Sequence, residues 1–171
     1  AYALDFLAIV AADLASISER STDRMLDTTR SHGLPPFLAA DPGVDSGHML
    51  AQYTQAAIVS ELKRLAAPAS VDSIPSSAMQ EDHVSMGWSA GRKLRRAIDG
   101  LTQVLAIELL VACEALDFRR PLRSSPPLEA VHALVRQHVP AHGHDRTLSP
   151  EIEALAVLAS SGAVLAAAEA A

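Results

Sequence analysis

The chain has 171 residues, enough for one domain and short for two. Hydrophobic residues make up 49% but aromatics only 4%, so the apolar share rests on Ala, Leu, Val and Ile; that mix favours closely packed helices over a β-sandwich. A net charge of −6 argues against a general nucleic-acid binder, and the single cysteine, Cys113, rules out an internal disulfide framework or a multi-cysteine zinc site.

The chain opens Ala1-Tyr2-Ala3-Leu4-Asp5-Phe6-Leu7-Ala8, with no Met and no capping residue, and reads from its first residue as the interior of a helix. Asp5 and Asp13 interrupt the apolar run and no Lys or Arg precedes it, which does not fit a signal peptide. No stretch reaches the ~18 uncharged apolar residues of a membrane span. The start is expected to be a cut inside a longer protein. Helix one is expected to reach about Arg20, with Leu4, Leu7, Ala11, Leu14 and Ile17 on its apolar stripe. Turn formers follow at His32-Gly33-Leu34-Pro35-Pro36 and Asp41-Pro42-Gly43. Asp45 or Ser46 then caps a second helix running to about Leu65.

A third helix is expected from Ser85 or Gly87 to about Asp117, its apolar positions Leu94, Ile98, Leu101, Leu105, Leu109, Ala112 and Leu116 stepping by three and four. Between Val104 and Leu116 only Glu108 and Glu114 break an otherwise apolar sequence, so this helix needs partners all round. Two short helices starting at Ser125-Pro126 and Ser149-Pro150-Glu151 are too little cover. The expectation is an all-α long-helix bundle, a single helical segment over 1–171 that is completed by other subunits or by an upstream part.

Ala67 to Val84 has neither helical nor strand period and is dense in groups that donate, accept or titrate, which makes it the place to look for a site. A triad of Ser73 or Ser76, His83 and Asp72 lacks a Gly-x-Ser-x-Gly elbow, and turn serines are the plainer reading. Glu81 and Asp82 are adjacent, a poor carboxylate dyad, though one alone can serve as a buried acid. His138, His142, His144 and Asp145 offer zinc-type ligands, but on an exposed turn they read as surface residues and no metal is expected. The run Arg92-Lys93-Leu94-Arg95-Arg96 reads as a solvated face or a subunit contact, and Cys113 as a buried, inert thiol.

Ala69-Ser70-Val71-Asp72-Ser73-Ile74-Pro75 followed by Gln80-Glu81-Asp82-His83-Val84-Ser85-Met86-Gly87 closely resembles the histidine ammonia-lyases, which belong to the aromatic amino acid lyases that use a methylideneimidazolone (MIO) prosthetic group. The resemblance continues in order through Ser16-Ile17-Ser18-Glu19-Arg20, Gly33-Leu34-Pro35-Pro36-Phe37-Leu38, Ala51-Gln52-Tyr53-Thr54, Val104-Leu105-Ala106-Ile107-Glu108-Leu109-Leu110, Leu116-Asp117-Phe118-Arg119 and Leu148-Ser149-Pro150-Glu151-Ile152-Glu153-Ala154. It covers nearly the whole chain and corresponds to the C-terminal third of a family member.

The resemblance implies a cytoplasmic homotetramer with active sites shared between subunits, and deamination of L-histidine to urocanate. It implies an MIO electrophile cyclised from Ala-Ser-Gly and a tyrosine base, both upstream. No Ala-Ser-Gly occurs here, and neither Tyr2 nor Tyr53 matches the base, so this chain alone is expected to be inactive. Glu81 matches the family's active-site glutamate and is the expected catalytic residue; Gln80 matches a neighbouring substrate-binding position; His83 and Asp72 take supporting roles. Departures from the family pattern stand at Ser21, Leu62, Ala67 and Met79, the last where Asn often precedes Gln-Glu-Asp. A non-catalytic oligomerisation fragment or degenerate lyase is a second reading, and a related aromatic lyase or aminomutase a third. The partners expected are L-histidine or a similar amino acid, and other subunits or the upstream part of the same enzyme, with no nucleic acid and no membrane.

Overall fold

The computed structural model describes residues 1–141 and 143–171, and those residues hold α-helices without a named strand. In order they are α1 (Tyr2–Leu26), a 3₁₀ turn at Pro36–Leu38, α2 (Met49–Leu65), α3 (Gly87–Phe118), α4 (Pro126–His138), α5 (Ser149–Ser160) and α6 (Ala163–Glu169). The all-α expectation holds. Helix α1 runs six residues past its expected end, because Arg20 pairs with Asp23 one turn on and Thr22 is buried. It stops where the Asp27 carboxylate accepts the backbone N–H and hydroxyl of Thr29, an alternative to the helical ladder. After α5, Gly162 adopts φ +81 and the chain bends into α6, where only one helix was expected. No single helix among the described residues is long and apolar enough to cross a membrane.

The chain forms two compact units, Ala1–Ile17 with Ala57–Leu101, and Ser18–Ala56 with Thr102–Ala171. In the first, the buried apolar side chains of α1 are Ala8, Ala11, Ala12 and Ala15, joined in the core by Val59, Leu62 and Leu65 of α2 and Ala90, Leu94 and Ala97 of α3. Of the expected stripe only Ala11 is buried in this core. Leu7, Leu14 and Ile17 point outward with Phe6, Ile9 and Val10, while the small residues face in. Small inward residues let helix backbones approach closely: a Cβ on Gly100 of α3 would stand 3.0 Å from Leu62 Cδ2 of α2. Leu62, a departure from the family pattern, is thus a core residue. On α3 the expected stripe is likewise the less buried one, with Ile98 and Leu105 exposed. Large apolar side chains are thus exposed on α1 and on α3.

In the second unit Ala106, Leu110 and Cys113 of α3 pack with Val131 and Val135 of α4, Val139, and Leu155 and Leu158 of α5. Polar pairs align the elements within this unit. Gln55 donates to the Val104 carbonyl, and Ser18 to Glu108. On α4, Arg136 reaches both Glu114 (2.9 Å) and Asp117 (2.6 Å), and His132 pairs with Asp117 at 2.8 Å. Replacing Arg136 by Met removes the guanidinium that the buried Glu114 carboxylate and Asp117 share, while Asp117 keeps His132. The expected cost is about 3 kcal/mol, read as a lower urea midpoint with an unchanged slope.

Candidate active site

The site is built on the Ala67–Val84 loop of the first unit, and its base is held by a charge that sequence patterning does not mark as functional. Asp5 sits on the inward face of α1 and is 2% exposed. Its carboxylate accepts the N–H of Ala69 at 3.1 Å and of Ser70 at 2.8 Å, and pairs with Lys93 Nζ of α3 at 3.1 Å. Lys93 also donates to the Ala67 carbonyl. Burial alone would raise the Asp5 pKa; the donors from Ser70, Ala69 and Lys93 outweigh it and hold the carboxyl well below the usual carboxylate range. A lone acid inside an apolar helical run is the available signal, since such a group is tolerated only with partners.

Beyond this anchor the loop is closed by its own backbone. The Ser73 hydroxyl accepts the N–H of Val84 at 2.8 Å. Ser76 and Glu81 exchange backbone hydrogen bonds of 3.0 and 3.3 Å, an isolated antiparallel bridge. Between them Ser77, Ala78 and Met79 hold φ of 52°, 53° and 73°. Three consecutive non-glycine residues in the left-handed region are costly, and such outliers cluster at functional sites. Met79, standing where the family often has Asn, occupies a conformation that Asn adopts more cheaply.

This turn sets Gln80 and Glu81 at its exit. Both side chains are exposed, and among the described residues neither makes a hydrogen bond, so the carboxylate and amide are uncommitted by their own chain. A free carboxylate here can accept a proton or hold an N–H group, and the amide beside it can both donate and accept. Asp72 and His83 lie on the same loop, exposed and likewise without side-chain partners among the described residues. The structure therefore brings Asp72, Gln80, Glu81 and His83 onto one surface loop. It does not assemble a hydrolase triad: among the described residues His83 bonds neither Ser73, Ser76 nor Asp72, and the Ser73 hydroxyl meets the Val84 N–H instead.

The other sequence candidates resolve elsewhere. His138 bonds the Leu134 carbonyl, His144 pairs with Asp45, and Asp145 accepts the N–H groups of Ser46 and Gly47; His142 lies outside the described residues. No three metal-ligating groups gather among the described residues. The chain ahead of α2 is thus served by distant Asp145, whereas Asp45 accepts the N–H of Asp145 in return. The basic run is not uniformly solvated: Lys93 turns inward to Asp5, and Arg96 pairs with Glu61. Burial pushes the Cys113 thiol up to about 11, consistent with an inert side chain. A separate groove of about 690 Å³ in the second unit is lined by Leu50, Ile152 and charged residues that are already engaged, Arg146 with Glu151 and Glu153 with Ser149.

Comparison with known proteins places this loop in a family. Residues 1–137 match the model of the aromatic amino acid lyases. The histidine ammonia-lyase of Streptomyces avermitilis is 63% identical over 170 residues, covering 99% of this chain and 33% of that protein. The crystal structure of histidine ammonia-lyase from Trypanosoma cruzi superposes with a TM-score of 0.94 at 45% identity, over 98% of this chain and 33% of its own. A tyrosine aminomutase from Streptomyces globisporus follows at 0.93 and 38%, over 97% and 32%. The chain spans about a third of the length of the curated relatives it matches. On the family match, on identity, and on a fold shared from end to end, the chain belongs to the aromatic amino acid lyase family.

Proposed function

We propose that the chain is the C-terminal portion of a histidine ammonia-lyase subunit, and that it lends the Ala67–Val84 loop to an active site completed by the rest of the enzyme. The observation that carries the reading is the strained turn that delivers Gln80 and Glu81, both uncommitted, on a loop anchored by a buried charge. The 63% identity to a histidine ammonia-lyase supports histidine over tyrosine, for which the aminomutase likeness is 38%.

The reaction removes the β-proton and breaks the Cα–N bond, giving ammonia and urocanate. Ammonia leaves poorly, and the MIO group, when bound, supplies the electrophile that draws the amine away. This chain has no Ala-Ser-Gly from which to form it. An exposed carboxylate and amide with no partners among the described residues fit the polar lining that such a group and its substrate would need. There Glu81 accepts a hydrogen bond from the imidazole or ammonium of the substrate, or carries a proton, and Gln80 orients the same molecule. The exposed apolar residues of the first unit, among them Phe6 and Val10 of α1 and Ile98 of α3, are where the other subunits of a homotetramer pack.

The test is turnover by the complete enzyme whose subunit carries this chain. Incubated with L-histidine, it should release urocanate and ammonia in equal amounts. Inertness toward histidine with formation of a β-amino acid from tyrosine would instead establish an aminomutase.

A further inference from the structure

We propose that the pair of buried Asp5 with Lys93 is a positioning device for the catalytic loop, setting where the chain leaves α2 and therefore where Glu81 stands. The inference rests on Glu81 belonging to the active site, as proposed above.

The geometry separates this role from that of a simple helix-to-helix ion pair. Besides the 3.1 Å contact between Asp5 and Lys93, the bonds of the two groups go to the loop: the N–H of Ala69, the N–H of Ser70 and the carbonyl of Ala67. An apolar pair of similar volume would pack α1 against α3 as well, without the cost of burying charge. It would leave those three backbone groups without partners. The carboxylate thus serves as a surrogate acceptor for a segment with no ladder of its own. Between Ser70 and Glu81 only one other side chain ties the loop backbone among the described residues, Ser73 to Val84. The Asp72 N–H donates to the Ala69 carbonyl at 3.2 Å, so a displacement at residues 67–70 is carried forward into the loop that holds the turn. Misplacing a catalytic group by about 1 Å is enough to cost on the order of 100-fold in rate.

The experiment compares Asp5→Asn, Lys93→Met and Lys93→Arg in the complete enzyme, reading kcat and KM for histidine together with amide hydrogen exchange. Asp5→Asn loses one acceptor; Lys93→Met keeps both and carries the test should Asp5→Asn fail to fold. The expected result is a kcat about 10-fold or more below the parent in Asp5→Asn and Lys93→Met. KM should change much less, the amides of Ser76 and Glu81 should exchange faster, and Lys93→Arg should regain most of the rate. Assembled variants that lose only thermal stability, with parental kcat and unchanged exchange at Ser76 and Glu81, would overturn the proposal. A parent enzyme inert toward histidine would sink the functional reading alone. The exchange of Ser76 and Glu81 in the variants then still decides the clamp, and unchanged exchange rejects it.

Discussion

Replacing Glu81 by Gln in the assembled enzyme is expected to lower kcat for histidine by about 100-fold or more, the usual contribution of a positioned acid or base. The substitution keeps the shape of the side chain and removes its charge and its ability to take a proton. Stability should not change, because Glu81 is exposed and its side chain bonds to nothing among the described residues. Its part in closing the turn is made by its backbone, through the two bonds with Ser76, and Gln retains these. Loss of rate with native assembly and native melting would therefore be a chemical loss. Steady-state kinetics alongside sedimentation and thermal melting make the measurement. Parental turnover in Glu81→Gln would remove Glu81 from the mechanism and leave the strained turn without its proposed purpose.

A large effect on stability is expected in the second unit, at Gly47. Its φ is +56°, and a Cβ there would stand 2.5 Å from the Phe37 carbonyl oxygen and 3.0 Å from the Ala39 nitrogen. Both are backbone atoms and cannot rotate away. Nor can the turn shift easily: the N–H of Gly47 is held by Asp145, and the N–H of His48 donates to the same Phe37 carbonyl at 2.9 Å. Phe37 and Leu38 are already left-handed at φ 54° and 52°, so the crowded partner has little conformational slack. Gly47→Ala adds a left-handed alanine to an overpacked contact, together about 3 kcal/mol. Gly43 is the control: its φ is +98° and a Cβ there would meet nothing within 4 Å, so Gly43→Ala bears the conformational cost alone. Equal urea midpoints for the two variants would show that the contact with Phe37 yields.

The helices are readable because their signals are local. Pro126 and Pro150 stand in the first turns of α4 and α5, as their Ser-Pro starts announce. The Leu65 end of α2 also falls where its sequence places it. Which face of a helix is inward is not local. On α1 and α3 hydrophobicity assigns the large apolar residues inward, yet alanines fill the inner face of α1 and Leu7, Leu14 and Ile17 remain outside. Periodicity reports that a stripe is apolar; whether it meets the chain's own core or another surface depends on how closely backbones approach, as at Gly100 against Leu62.

The same division runs through the site. By itself the sequence determined that 67–84 is an irregular, polar loop between two helices and that Gln80 and Glu81 match the lyase motif, since composition, turn chemistry and motif spacing are properties of neighbouring residues. Only the tertiary structure decided that Asp5, sixty-four positions before Ala69, holds that residue's N–H, that Lys93 turns inward out of a basic run, and that Ser77, Ala78 and Met79 bend left-handed to set the turn. A buried charge finds its partners by proximity in space, because desolvation is offset only by donors within about 3 Å, and chain order carries no record of which donors those are.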